Sequence, residues 1–152
     1  MKLIDDDEAK SVSPTSVVQV CLGHHVRKAA RSFTRAYDNA LQPCGLNFSQ
    51  FNILVVVAAL EPVQAPKIAT YMAMDRTTLS RNLKPLKRSG YLESGGGAGR
   101  RPDIVELTYA GHTILAEGYA LWRVAQSDLA EGLGPGRAGQ LLEILGDWRV
   151  ER

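Results

Sequence analysis

Wound at 3.6 residues per turn, the stretch from Asp75 to Arg88 places Leu79, Leu83 and Leu86 on one stripe and Thr77, Arg81, Lys84 and Arg88 on the opposite one. A segment so divided has to be a helix that docks by its leucines and leaves a basic, hydroxyl-bearing face to solvent. Asp75 is suited to cap it by accepting a backbone N–H from Thr77 or Thr78. Just upstream, Pro66 fits the first turn of a short helix whose inward stripe is Ile68, Ala69 and Met72, ending near Tyr71 to Met74. Helix, short turn, helix is therefore the expected arrangement. Pro85 removes a hydrogen bond to the carbonyl of Arg81, so a kink is expected after Lys84.

Around this pair the pattern is mainly helical. Residues 1–14 read as a mobile arm closed by Pro14, and Thr15 to about Leu41 reads as one long helix with Arg27, Arg31 and Arg35 at i, i+4 spacing. Asn47, Phe48, Ser49 and Gln50 have the form of a capping box, with Asn as the cap. The helix they open runs to Leu60, and its near-continuous apolar run implies burial on several sides; Pro62 stops it. After Gly90, the segments Tyr91 to Ser94 and Asp103 to Leu107 alternate as strands, joined by a glycine- and arginine-rich tip, Gly95 to Pro102. This is a β-hairpin wing. Thr108 can cap a second long helix reaching about Gly132, and Gly134-Pro135-Gly136 separates it from a last amphipathic helix bearing Leu141, Leu142, Leu145 and Trp148.

The net charge of +2 is small, but its distribution is not even. Between Arg76 and Arg101 seven cations face Glu93 alone, so this stretch carries +6 and the remainder of the chain −4. Nucleic-acid binders concentrate positive charge in this way. A bare basic stripe is most often a solvated helix face; the turn before it and the wing after it set this one apart. The longest uninterrupted apolar run, Ile53 to Leu60, is far short of the roughly 20 residues that span a bilayer. The N-terminus is acidic where a secretory signal would be basic, so a cytoplasmic protein without membrane contact is expected. No GxSxG, P-loop lysine, HExxH or pair of catalytic carboxylates is present, and neither an enzyme nor a bound cofactor is expected. Cys21 and Cys44 are too few for a disulfide framework. Cys21, His24 and His25 can share a helical face but lack a fourth donor nearby, so no metal is expected.

Four fragments in register carry a family resemblance: Gly45 to Phe51 opening the second helix, Met74 to Arg81 opening the basic helix, Gly90-Tyr91-Leu92 before the wing, and Leu107 to Gly111 after it. Over roughly residues 20–130 the chain resembles the MarR family of bacterial transcription regulators. The resemblance implies one MarR-type domain over 1–152: a winged helix-turn-helix at 47–107, flanked by N- and C-terminal dimerisation helices at 15–41 and 108–152. It further implies a homodimer straddling a palindromic double-stranded DNA operator. Thr77, Thr78 and Arg81 would then lie where side chains reach base edges, with Arg81 suited to guanine; Ser80 would be a further DNA contact, and Lys84, Lys87 and Arg88 would meet phosphate. Arg76 could touch phosphate or form a structural pair. At the wing tip the family's Asp-x-Arg corresponds to Gly99-Arg100-Arg101, so Arg101, expected in the minor groove, stands without its carboxylate partner, and Arg100 is expected to bind DNA beside it.

Family members often bind small aromatic or phenolic effectors, and Tyr37, Phe51, His112 and Trp122 could line such a pocket, although core packing is the first explanation for each. The sequence thus points to a repressor released by a small molecule. Two alternatives stay open. One is a thiol- or peroxide-responsive regulator using Cys21, although the family's reactive position falls nearer Gly23, and two residues rotate a side chain by about 200° around a helix. The other is a winged-helix module that serves protein assembly without DNA.

Overall fold

The structure is a computed structural model that describes residues 13–95 and 104–146. The chain divides into two compact units, Met1–Ala36 and Tyr37–Arg152.

In the first unit, the Ser13 hydroxyl accepts the Ser16 N–H at 3.1 Å while the Ser16 hydroxyl accepts the Ser13 N–H at 3.1 Å, a reciprocal cap that starts helix α1, Pro14–Val20. Pro14 therefore opens a helix instead of closing an arm; the rest of the expected arm lies outside the described residues. Helix α2, Leu22–Leu41, follows and runs on into the second unit. The single helix expected from Thr15 is thus broken at Cys21, whose backbone is extended at φ −71°, ψ 108°. The reason is local: Val17, Val18, Val20 and Gly23 crowd this stretch, and β-branched residues and glycine are weak helix formers.

In the second unit, the expected capping box is present. Gln50 N–H reaches the Asn47 Oδ1 at 2.9 Å, and Asn47 N–H reaches Gln50 Oε1 at 3.0 Å. Asp38, on the last turns of α2, takes a further free donor of the new helix, Phe48 N–H, at 2.7 Å. Helix α3, Phe48–Leu60, buries Phe51, Ile53, Leu54, Val56 and Val57 and forms the centre of the core. Its apolar residues go nearly all round because α5, α6 and the sheet all pack on it.

Strand β1, Val63–Gln64, comes next and was not expected; two residues between Pro62 and Ala65 carry no readable alternation. Helix α4, Ala65–Tyr71, and helix α5, Arg76–Arg88, form the helix-turn-helix, with Ala73 in the turn at φ 50°. Helix α5 continues through Pro85 to Arg88, so the proline does not end it. Strands β2, Leu92–Ser94, and β3, Ile104–Leu107, form the wing, with Leu92 opposite Leu107 and Ser94 opposite Val105. β1 joins the other edge of β3, pairing Val63 with Val105, so the wing is rooted in a three-stranded antiparallel sheet ordered β1-β3-β2.

Thr108 then caps helix α6, Tyr109–Leu133, accepting Gly111 N–H at 3.0 Å and donating its own hydroxyl to the Gly90 carbonyl at 2.5 Å. Gly134 and Gly136, at φ 89° and 73°, turn the chain into helix α7, Arg137–Gly146. Trp148, expected on that helix, lies outside the described residues. The fold is mainly helical with a small β-wing, a winged helix-turn-helix flanked by helices at both ends.

Candidate nucleic-acid interface

The N-terminus of α5 is built around one carboxylate. Asp75 Oδ1 accepts Thr78 N–H at 2.8 Å and Oδ2 accepts the Thr78 hydroxyl at 2.6 Å. These bonds, the hydroxyl first and the backbone N–H next, hold the Asp75 carboxyl below its ordinary value. Leu79, Leu83 and Leu86 are buried in the core, so the rotation of α5 about its axis is fixed. The opposite face is consequently committed to solvent: Arg76, Thr77, Ser80, Arg81, Lys84 and Arg88 are all exposed. None of the four cations Arg76, Arg81, Lys84 and Arg88 has a carboxylate partner among the described residues.

Two of the expected contact residues are engaged elsewhere. The Thr78 hydroxyl is spent on Asp75, leaving its methyl group and an acceptor lone pair. Lys87 is half-buried, and its Nζ donates to Ser94 Oγ on β2 at 3.1 Å, tying the basic helix to the wing. Asn82 Nδ2 likewise turns back to the Thr78 carbonyl at 2.9 Å. Between α4 and α5 lies a groove of about 650 Å³ lined by the apolar Ala65, Pro66, Ala69, Leu79 and Leu83 and by Arg76, Lys84, Lys87 and Arg88. Arg100 and Arg101 lie outside the described residues.

The four residues considered for an effector pocket have separate partners. Tyr37 stacks on Phe48 at 4.4 Å between ring centroids and donates its hydroxyl to Gln126 Oε1, and burial raises its phenol above the usual value. Phe51 is buried edge-on against Tyr119. His112 is half-exposed, with Nε2 3.5 Å from Glu61 Oε1. Trp122 is half-buried on the core. None of these ring, hydrogen-bond or charge contacts joins one of the four to another.

Cys21 is a half-buried free thiol at the α1–α2 break, and His25 Nε2 lies 3.0 Å from the Gln19 carbonyl. Cys44 donates its thiol to the Leu41 carbonyl at 3.1 Å and packs on the core. Among the described residues no group of three His, Cys, Asp or Glu side chains could hold a metal ion, and no single helix is long and apolar enough to cross a membrane.

Sequence reasoning missed Glu61, whose Oε2 accepts the Leu107 N–H at 2.8 Å across 46 positions of chain. A pairing so distant leaves no local signal. The Asp38–Phe48 and Lys87–Ser94 bonds were equally invisible.

This geometry matches known proteins. The MarR family model matches residues 45–101. The Mycobacterium tuberculosis transcriptional regulator MosR is 32% identical, with a TM-score of 0.72, over 85% of this chain and 95% of that one. Its complex with DNA matches at 33% identity and a TM-score of 0.68, over 83% of this chain and 94% of that one. The Bacillus subtilis (strain 168) HTH-type transcriptional regulator YwoH is 28% identical over 93 residues, 61% of this chain and 68% of YwoH. The transcriptional repressor CouR, bound to p-coumaroyl-CoA, shares the fold at a TM-score of 0.77 and 24% identity, over 86% of this chain and 92% of that one. With a basic helix held outward by a buried leucine stripe, a wing tied to it, and these relatives, the chain belongs to the MarR family of DNA-binding transcriptional regulators.

Proposed function

We propose that this protein is a homodimeric, cytoplasmic repressor that binds a palindromic operator and is released from it by a small aromatic or phenolic effector. The observation that carries the DNA part is the outward face of α5: exposed cations without carboxylate partners among the described residues, on a helix whose rotation the core has fixed. Thr77, Ser80 and Arg81 lie in its first turns, the part of a recognition helix that meets base edges. Arg81 reads guanine through O6 and N7, and Thr78 adds its methyl group. Lys84 and Arg88, further along, neutralise phosphate, with Arg76 at the helix start as a further backbone contact, and Arg101 enters the minor groove with Arg100 beside it. Lys87, held by Ser94, sets the angle between helix and wing and reaches phosphate through its remaining donors.

The whole of 1–152 works as one regulatory domain, with 47–107 for DNA and 15–41 and 108–152 for the dimer. Exposed apolar side chains on α6 and α7, among them Val124, Leu142 and Ile144, support a dimer that covers them. Effector control is supported by the family and by the repressor CouR, of the same fold and bound to p-coumaroyl-CoA. Tyr37, Phe51, His112 and Trp122 are the residues to vary in mapping an effector site.

The test is selection of genomic fragments by the purified protein, in reducing and oxidising buffer, followed by titrations at several salt concentrations. A palindrome should be enriched. Arg81→Ala should lose about 1–3 kcal/mol per half-site against the selected sequence while keeping most of its salt-dependent binding to random DNA. Equal losses on both DNAs would remove Arg81 as the reader, and no enrichment in either buffer would sink the repressor reading.

A further inference from the structure

Strand β1 is too short for the sheet it joins. It pairs Val63 with Val105 and Gln64 with Ile104, and there it stops. Leu107 lies two residues further along β3, at the root of the wing, and its N–H would need a strand residue at the place where the chain has instead Glu61, the C-cap of α3. The Glu61 side chain takes over the part of the missing strand. Its Oε2 accepts the Leu107 N–H at 2.8 Å, while its own N–H stays on the Val57 carbonyl at 2.8 Å. A partly buried N–H left without an acceptor is costly, so the wing root depends on this carboxylate.

The second oxygen has a different neighbour. Oε1 lies 3.5 Å from Nε2 of His112, which sits in the first turns of α6 and donates its own N–H to the Thr108 carbonyl at 2.9 Å. The Glu61 side chain is only 25% exposed and the His112 side chain 57%, so the shielded partner is the one anchored to the core helix. A single carboxylate thus joins three elements: the end of α3, the last residue of β3 and the beginning of α6.

We infer that Glu61 is a positioning residue for DNA binding, fixing the wing root relative to the core helix α3 and to α6 through Leu107 N–H and His112. This role rests on the reading that wing and α5 engage DNA together, and the test separates the two. The Leu107 amide exchange rate is measured by NMR on the free full-length protein, and affinity for the selected operator is measured alongside, for wild type, Glu61→Ala, Glu61→Gln and His112→Ala.

Glu61→Ala should speed Leu107 exchange by about tenfold and weaken operator binding several-fold. Glu61→Gln should restore both, because its carboxamide oxygen still accepts the N–H, and His112→Ala should leave the Leu107 amide protected. If the alanine variant does not fold, Glu61→Met, which keeps the stem and removes the acceptor, takes its place. Unchanged Leu107 exchange in the acceptor-free variant overturns the latch. Faster exchange with wild-type operator affinity overturns the positioning role and leaves α5 as the reader. Wild type that selects no DNA fails the DNA reading instead, and the exchange data still judge the latch.

Discussion

At Asp75 one carboxylate both caps α5 and occupies the Thr78 hydroxyl, which removes that hydroxyl as a donor to a base edge. Its consequence for pH follows from the direction of the shift. A carboxyl held below its ordinary value of 3.8 favours its charged form in the folded chain, so its contribution to stability is present above that value. The contribution is lost as pH falls through the lower folded value. Between about pH 6 and about pH 3 the wild type should therefore lose more of its urea midpoint than Asp75→Asn, which cannot titrate. Equal losses would mean that the cap bonds do not favour the ionised form. Asp75 was legible as a cap because N-cap chemistry is local; that Thr78 would spend its hydroxyl there depended on its rotamer, which the sequence does not state.

Elements meet in this protein where glycine lets them. A Cβ on Gly111 would lie 2.1 Å from the Tyr91 carbonyl oxygen and 2.8 Å from Leu107 Cδ2, so the beginning of α6 rests directly on the backbone at the base of the wing. Gly118, two turns on, faces the Phe51 ring, where a Cβ would lie 2.9 Å from Cδ2. The first obstacle is backbone and cannot yield; the second is a side chain. Gly111→Ala should cost about 3 kcal/mol or more from overpacking. Gly118→Ala should cost about 1 kcal/mol, since replacing a helical glycine recovers part of the loss. Denaturant midpoints would check the order, and equal costs would mean that α6 shifts as readily at one site as at the other. The helices themselves were legible from period and caps: Asn47, Asp75 and Thr108 each start the helix expected of them. The break at Cys21 and strand β1 were not, because each rests on a stretch too short to have a period.

At the scale of the whole molecule, the proposed dimer needs an apolar surface to close on. Leu142, Ile144 and Leu145 are 64%, 62% and 53% exposed on α7, and Val124 is 63% exposed on α6, apolar side chains that the proposed dimer would cover. Leu142→Glu with Leu145→Glu should reduce the light-scattering mass from twice the 16.6 kDa chain to a single chain and abolish tight binding to a two-fold operator. A variant that stays dimeric would place the interface elsewhere. The sequence by itself determined the helix-turn-helix, the wing, the family and the basic face of α5, because hydrophobic period, caps and glycine turns act within a few residues of each other. Tertiary structure alone decided which polar groups on that face were free. Lys87 was claimed by Ser94 on β2, and Glu61 became the partner of a strand residue 46 positions away. Such pairings depend on how close folding brings distant side chains, a distance that no local pattern encodes.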